Sequence, residues 1–195
     1  MERRATEVGR LTPLGYPRTG TRTLEATLAF AFPELEITPT QHRVTPMTRC
    51  PNIICIFREP LECISSWMTT DLRDEADPPR YWSAKERLEF YIRFANKAIE
   101  SNIFCTTLNQ LRKHPNRAMF EYSQKHNLQE PKWVFMSEIE EFVKINYPLH
   151  YPHKHTENKT RFYEEIQKEK LFDEAESMYR IFVDLVADMV DDDEQ

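Results

Sequence analysis

Residues Gly15 to Thr23, G-Y-P-R-T-G-T-R-T, gather the anion-binding chemistry of the chain into nine positions. Two of the three glycines in the sequence, Gly15 and Gly20, sit here, and a backbone this bare lets a ligand approach closely. Leu24, Leu28, Ala31 and Phe32 follow at helical spacing, so the stretch reads as a turn feeding a helix N-terminus. Such a turn aims several N–H groups at one spot and suits a phosphate or a sulfate. The two glycines have the separation of a Walker A loop. Thr21 and Arg22, however, occupy the places where Lys and Ser/Thr would hold β/γ-phosphates and Mg²⁺. A cation stands inside the loop instead, at Arg18, and hydroxyls cluster at Thr19, Thr21 and Thr23. The expected ligand is an anion without a metal-bridged triphosphate.

A second constellation follows the apolar run Asn52 to Phe57, N-I-I-C-I-F, which reads as a strand buried on both faces. A Walker B strand would end in an Asp that helps to hold Mg²⁺, whereas this one ends in Arg58. The sign is reversed, so Arg58 can bind an anion directly. Pro60 is placed to open the next helix at its first position, and Ser66 lies about two turns along it. If that helix lies back over the sheet edge, Arg58 and Ser66 reach one phosphate.

Together the two elements resemble the sulfotransferase family. Its 5′-phosphosulfate loop typically reads Y-P-[KR]-[ST]-G-T-x-x-L, which Tyr16 to Leu24 fits throughout. Its 3′-phosphate element reads R-[DE]-P-x-x-x-x-x-S, which Arg58 to Ser66 fits with the same spacing. The resemblance covers roughly Arg10 to Trp67. It implies transfer of a sulfuryl group from 3′-phosphoadenylyl sulfate (PAPS) to a hydroxyl or amine of a small-molecule or carbohydrate acceptor. Arg18, Thr19, Gly20, Thr21, Arg22 and Thr23 would hold the 5′-phosphosulfate, and Arg58 with Ser66 the 3′-phosphate. Arg18 would also stabilise charge on the bridging oxygen as the sulfuryl group leaves. Many cytosolic members carry Lys at the Arg18 position, and their glycine-containing C-terminal signature is absent here. The segment His153 to Thr160, with Lys159, stands where part of that role could be taken over.

Sulfuryl transfer needs the acceptor proton removed. In the family the base comes from the region after the first helix, where this chain offers Glu34, Glu36 and His42. His42 has the better unperturbed pKa and sits in a proline-bounded loop, and Glu36 is the reserve. His150, His153 and His155 are poorly spaced for zinc, and no metal is expected. Two other readings stay open: a P-loop kinase-like transferase that uses ATP–Mg²⁺, and a nucleotide-binding protein that holds adenosine 3′,5′-bisphosphate (PAP) without turnover.

The elements that must position these residues alternate between strand and helix, which indicates an α/β fold: three layers, P-loop-like, with a short, mostly parallel sheet flanked by helices. Strands are expected at Arg10 to Gly15, Asn52 to Phe57, Asn102 to Leu108 and, briefly, Trp133 to Met136. Helices are expected after Gly20, from Pro60, over Tyr81 to Ser101 with Leu88, Tyr91, Ile92, Ala95 and Ile99 inward, and over Pro115 to His126. Ser137 and Glu140 suggest a capping box. Glu164 to Val190 reads as one closing helix with Ile166, Ala175, Met178, Ile181, Phe182 and Leu185 inward. Glu34 to Arg49 and Asp71 to Arg80 read as connections.

The 195 residues suit a single domain ending in an acidic tail over about 188–195. That tail accounts for most of the net charge of −6, leaving a near-neutral body that lacks the basic stripe of a nucleic-acid binder. No apolar run has the length of a membrane span and no signal sequence is visible. The four cysteines form no C-x-x-C pair, so reduced thiols in a cytoplasmic protein are expected.

Overall fold

The computed structural model describes residues 9–48, 50, 52–71, 82–147 and 156–187. Strands β1 (Arg10–Gly15), β2 (Glu36–Ile37), β3 (Ile53–Phe57) and β4 (Phe104–Thr107) form one sheet in the order β2-β1-β3-β4, and every pairing is parallel. β3 is buried along its whole length, as its unbroken apolar run requires. Its side chains alternate between two cores: Ile53, Cys55 and Phe57 face one, Ile54 and Ile56 the other. Pro13 lies inside β1 without breaking the sheet. Its carbonyl accepts from the Gln41 amide on the side where the two-residue β2 has already ended, so its missing N–H interrupts no ladder bond.

Helices cover both faces, which makes three layers. On one face lie α1 (Thr21–Ala31), α4 (Leu108–Lys113), α5 (Pro115–His126) and α6 (Met136–Asn146), packed around Leu24, Leu28, Leu111, Met119, Tyr122 and Ile139. The other face carries α2 (Pro60–Asp71), α3 (Ala84–Glu100), α7 (Thr156–Gln167) and α8 (Phe172–Ala187). Ser83 caps α3 in a reciprocal capping box with Glu86, which sets its start at Ala84. The hydrogen bonds from the Ser83 backbone and side chain hold the Glu86 carboxyl below its ordinary value. Among the described residues, no helix is long and apolar enough to cross a membrane.

Four expectations need correction. Trp133 to Met136 forms no strand. Trp133 is 74% exposed, Val134 alone is buried, and the segment is tied by its Val134 backbone to the Asn116 side chain instead of to a neighbouring strand. The fourth strand is β2, within the expected connection, where Arg10 pairs with Glu36 and Leu11 with Ile37. The capping box at Ser137 does not form, because Phe135 is the N-cap of α6 and Ser137 is already inside the helix. The closing helix is two helices: residues 168–171 turn between α7, which packs on α2, and α8, which packs on α3. Ile166 and Phe182 reach the same core from the two helices, while Ile181 points outwards, as does Ile99 of α3. The short helix α4, capped reciprocally by Thr107 and Gln110, is an addition. The acidic tail and the segment Asp71 to Arg80 beyond its first residue lie outside the described residues.

Phe57, the last residue of β3, stacks on Phe182 of α8 with ring centres 3.9 Å apart and planes 12° from parallel. Phe182→Ala should therefore lower the stability by about 3–5 kcal/mol in urea unfolding, as for a buried aromatic removed from a packed core. A loss below 1 kcal/mol would mean that α8 does not close this face.

Candidate functional site

All four strands run the same way, so their C-terminal ends share one rim of the sheet. There the chain leaves β1 towards one face, through α1, and leaves β3 towards the other, through α2. Adjacent strands whose exits diverge open a crevice between their ends, the usual ligand position of open α/β sheets. Gly15 pairs with Ile56 at this edge, so the turn 16–20 and the bend 58–60 emerge side by side.

The first turn is held from below. The Tyr16 ring is fully buried, its hydroxyl donates to the Arg87 carbonyl at 3.0 Å, and it packs edge-on against Trp67 and Tyr91. Thr19 donates its hydroxyl at 2.7 Å and its amide at 3.3 Å to the Tyr16 carbonyl, which folds the loop back on itself. Thr19 therefore shapes the turn, since its hydroxyl proton points inwards. A Cβ on Gly15 would lie 2.6 Å from Thr21 Cγ2 and 2.7 Å from Thr19 Oγ1, so only glycine lets the loop sit this close to the strand. Gly20 is the N-cap of α1 at φ 95°, and its missing Cβ would strike Leu108 Cδ1 at 2.6 Å. Arg18 also adopts a left-handed backbone, φ 67°, which costs an arginine about 1 kcal/mol or more and is characteristic of binding and catalytic turns. The first intrahelical bond of α1 runs from Leu24 N–H to Gly20 C=O. The N–H groups of Thr21, Arg22 and Thr23 thus have no intrahelical partner and stand at the positive end of the helix dipole, at this rim.

The second bend meets the first. Arg18 Nε donates to Ser66 Oγ at 3.3 Å, joining the glycine turn to α2 across 48 residues of sequence. Arg58 stands between the end of β3 and the start of α2. Its carbonyl accepts from the Tyr91 hydroxyl at 3.0 Å, and its guanidinium pairs with Glu62 at 2.8 Å. The second oxygen of Glu62 accepts from Tyr163 of α7. Burial, then the Glu62 carboxylate, push the Tyr163 phenol up to about 12, so it remains a donor at neutral pH. Cys63, beneath this bend, is fully buried, and burial raises its thiol well above the ordinary range, which makes it a packing residue and not a nucleophile.

His42 lies at this same rim, exposed, with Nδ1 2.7 Å from the Gly15 carbonyl. A carbonyl only accepts, so Nδ1 carries the proton and Nε2 of the neutral ring keeps its lone pair. The loop bearing His42 is fastened to α1 by Glu25, which accepts from the Thr40 amide at 2.6 Å and from the Thr40 hydroxyl. Glu36, the reserve base, is misplaced for the role. It pairs with Arg10 at 3.0 Å, at the opposite, N-terminal end of β1. Arg22 turns outwards, bonded to Glu25 at 2.7 Å and stacked 4.8 Å from the Tyr147 ring, so its backbone and not its side chain faces the turn. Lys159 falls in α7, but its side chain lies outside the described residues, as do His150, His153 and His155.

Sequence reasoning passed over Glu62, Tyr163 and Glu25. The spacing of Arg58 and Glu62 along a helix was a usable signal for the ion pair. Nothing local links Tyr163 to it. No protein-family model matches the chain, and no curated protein does.

Gly15→Ala is expected to destabilise the fold by about 1–3 kcal/mol in chemical denaturation, since the new methyl meets two side chains anchored in the turn. Stability equal to the parent protein would show that the loop does not fold back onto β1.

Proposed function

We propose that this protein transfers a sulfuryl group from PAPS to a hydroxyl or amine acceptor, as the resemblance of its two motifs to those of the sulfotransferases implies. The observation that carries the reading is the meeting of Arg18 and Ser66 at the divergent exits of β1 and β3. It ties the turn proposed for the 5′-phosphosulfate to the helix that carries part of the element proposed for the 3′-phosphate.

The chemistry of the crevice supports the same division of labour. The amides of Thr21, Arg22 and Thr23 and the Arg18 guanidinium offer donors for a phosphosulfate, while Arg58, just before α2, and Ser66, within it, offer donors for a terminal phosphate. Each charged hydrogen bond contributes about 1.5–3 kcal/mol, enough to hold a multiply anionic nucleotide without a metal. In the reaction the acceptor O–H gives its proton to His42 Nε2, and its oxygen forms the new bond to sulfur. The bond from sulfur to the bridging oxygen of the 5′-phosphate breaks, and PAP leaves with that electron pair. Arg18, always protonated, balances the charge on the departing oxygen, but it cannot donate a proton as a lysine can. Lys159 is a further candidate contact for the nucleotide. The indole and phenyl rings of Trp67, Trp82 and Phe90, which pack on one another beside Tyr16, border the same region and suit a flat or sugar-like acceptor.

Thermal-shift titration tests the ligand. PAP and PAPS should raise the melting temperature without Mg²⁺, and ADP should do so less. A larger shift with ATP–Mg²⁺ would instead support a kinase-like transferase. By calorimetry, Arg18→Ala and Arg58→Ala should each weaken PAP binding by about tenfold or more while the far-UV spectrum is unchanged. His42→Ala should slow sulfuryl transfer by about 100-fold or more with PAP affinity intact. PAP binding with no transfer to any of a panel of phenols, amines and sugars would leave nucleotide binding without catalysis.

A further inference from the structure

Arg58 does not face the crevice alone. It shares its charge with Glu62, one helical turn on, and both side chains are about 30% exposed at 30% and 28%. The pair is therefore open to the solvent from which a ligand would come. Glu62 is held from both sides, by Arg58 at 2.8 Å through one oxygen and by the Tyr163 hydroxyl through the other. The main chain of the bend is fixed independently, by Tyr91 on the Arg58 carbonyl and by the Glu59 carbonyl accepting from the Cys63 amide. Rearrangement here therefore falls to the side chains of Arg58 and Glu62.

We infer that Glu62 is a built-in counter-ion of the Arg58 subsite, occupying the guanidinium until a terminal phosphate displaces it, with Tyr163 retaining the displaced carboxylate. This rests on the nucleotide reading given above. A guanidinium presents a planar fork of donors that a carboxylate or a phosphate can fill, so the two compete for one face. A phosphate monoester is close to dianionic at neutral pH and outbids a single carboxylate charge, whereas a monoanion gains nothing from the exchange. Glu62 thereby makes the subsite selective for a terminal phosphate dianion over a sulfate monoester or a carboxylate, at a cost in absolute affinity. Tyr163 lies on α7 and not on α2, so it can keep its bond to Glu62 while Arg58 swings away. Its phenol stays protonated, so it serves as the neutral donor that a displaced carboxylate needs.

Calorimetry with PAP and with adenosine 5′-monophosphate, which lacks the 3′-phosphate, tests this on the full chain. Glu62→Gln should bind PAP about tenfold more tightly, because the competing charge is gone. The affinity for adenosine 5′-monophosphate should stay at the parent value, which also reports an intact fold. In an Arg58→Ala background, Glu62→Gln should have no comparable effect, since the two act on one contact. Tyr163→Phe should weaken PAP binding a few-fold, in the opposite direction, and it carries the test alone if Glu62→Gln fails to fold. Equal or weaker PAP binding by Glu62→Gln, or an unchanged affinity in Tyr163→Phe, overturns the counter-ion role while the nucleotide site stands. No PAP binding by the parent protein, or PAP binding indifferent to Arg58→Ala, overturns the nucleotide site itself.

Discussion

The parallel pairing of β1 with β3 governs the rest of the molecule. It aligns Gly15 with Ile56, and so sets two chain exits next to each other at one rim. Because the exits turn to opposite faces, neither helix covers the gap between them, and the polar ends of the backbone stay accessible there. Both apolar cores are built to keep that arrangement. Leu24 and Leu28 hold α1 on one face of the sheet, and Cys63, Ile64 and Met68 hold α2 on the other.

Local order at the rim follows from how little freedom the turn has. Tyr16 is pinned by its hydroxyl and by three aromatic neighbours, Thr19 closes the loop internally, and Gly15 and Gly20 both leave space that a methyl group would fill. The left-handed backbone of Arg18 is kept within this frame and delivers its side chain to Ser66. Arg58, on the neighbouring bend, pairs with Glu62 one turn on.

Much of this was legible locally. The G-Y-P-R-T-G-T turn, the buried run ending at Arg58 and the proline that starts α2 each carry their own short-range signal, and each element appears within a residue or two of its expected place. The loop bearing His42 was also readable as lying near the rim, although its fastening to Gly15 was not. What failed had no decisive local signal. The two residues of β2 are too few for periodicity to detect, and the apolar cluster at Trp133 to Met136 mimics a strand while most of it faces solvent. The break at residues 168–171 contains neither glycine nor proline, so the helical period of the sequence runs on through it.

Composition, period and turn chemistry by themselves determined the class of the fold, the positions of the two arginine-bearing bends and the sign of the charge each offers, because these depend on neighbours within a few residues. Only the tertiary structure decided that Arg18 meets Ser66, that Glu36 belongs to the far end of the sheet, and that Tyr163 stands behind the Arg58–Glu62 pair. Those relations span 26 to 101 residues of chain, and they arise from strand order and helix packing, which no local pattern encodes.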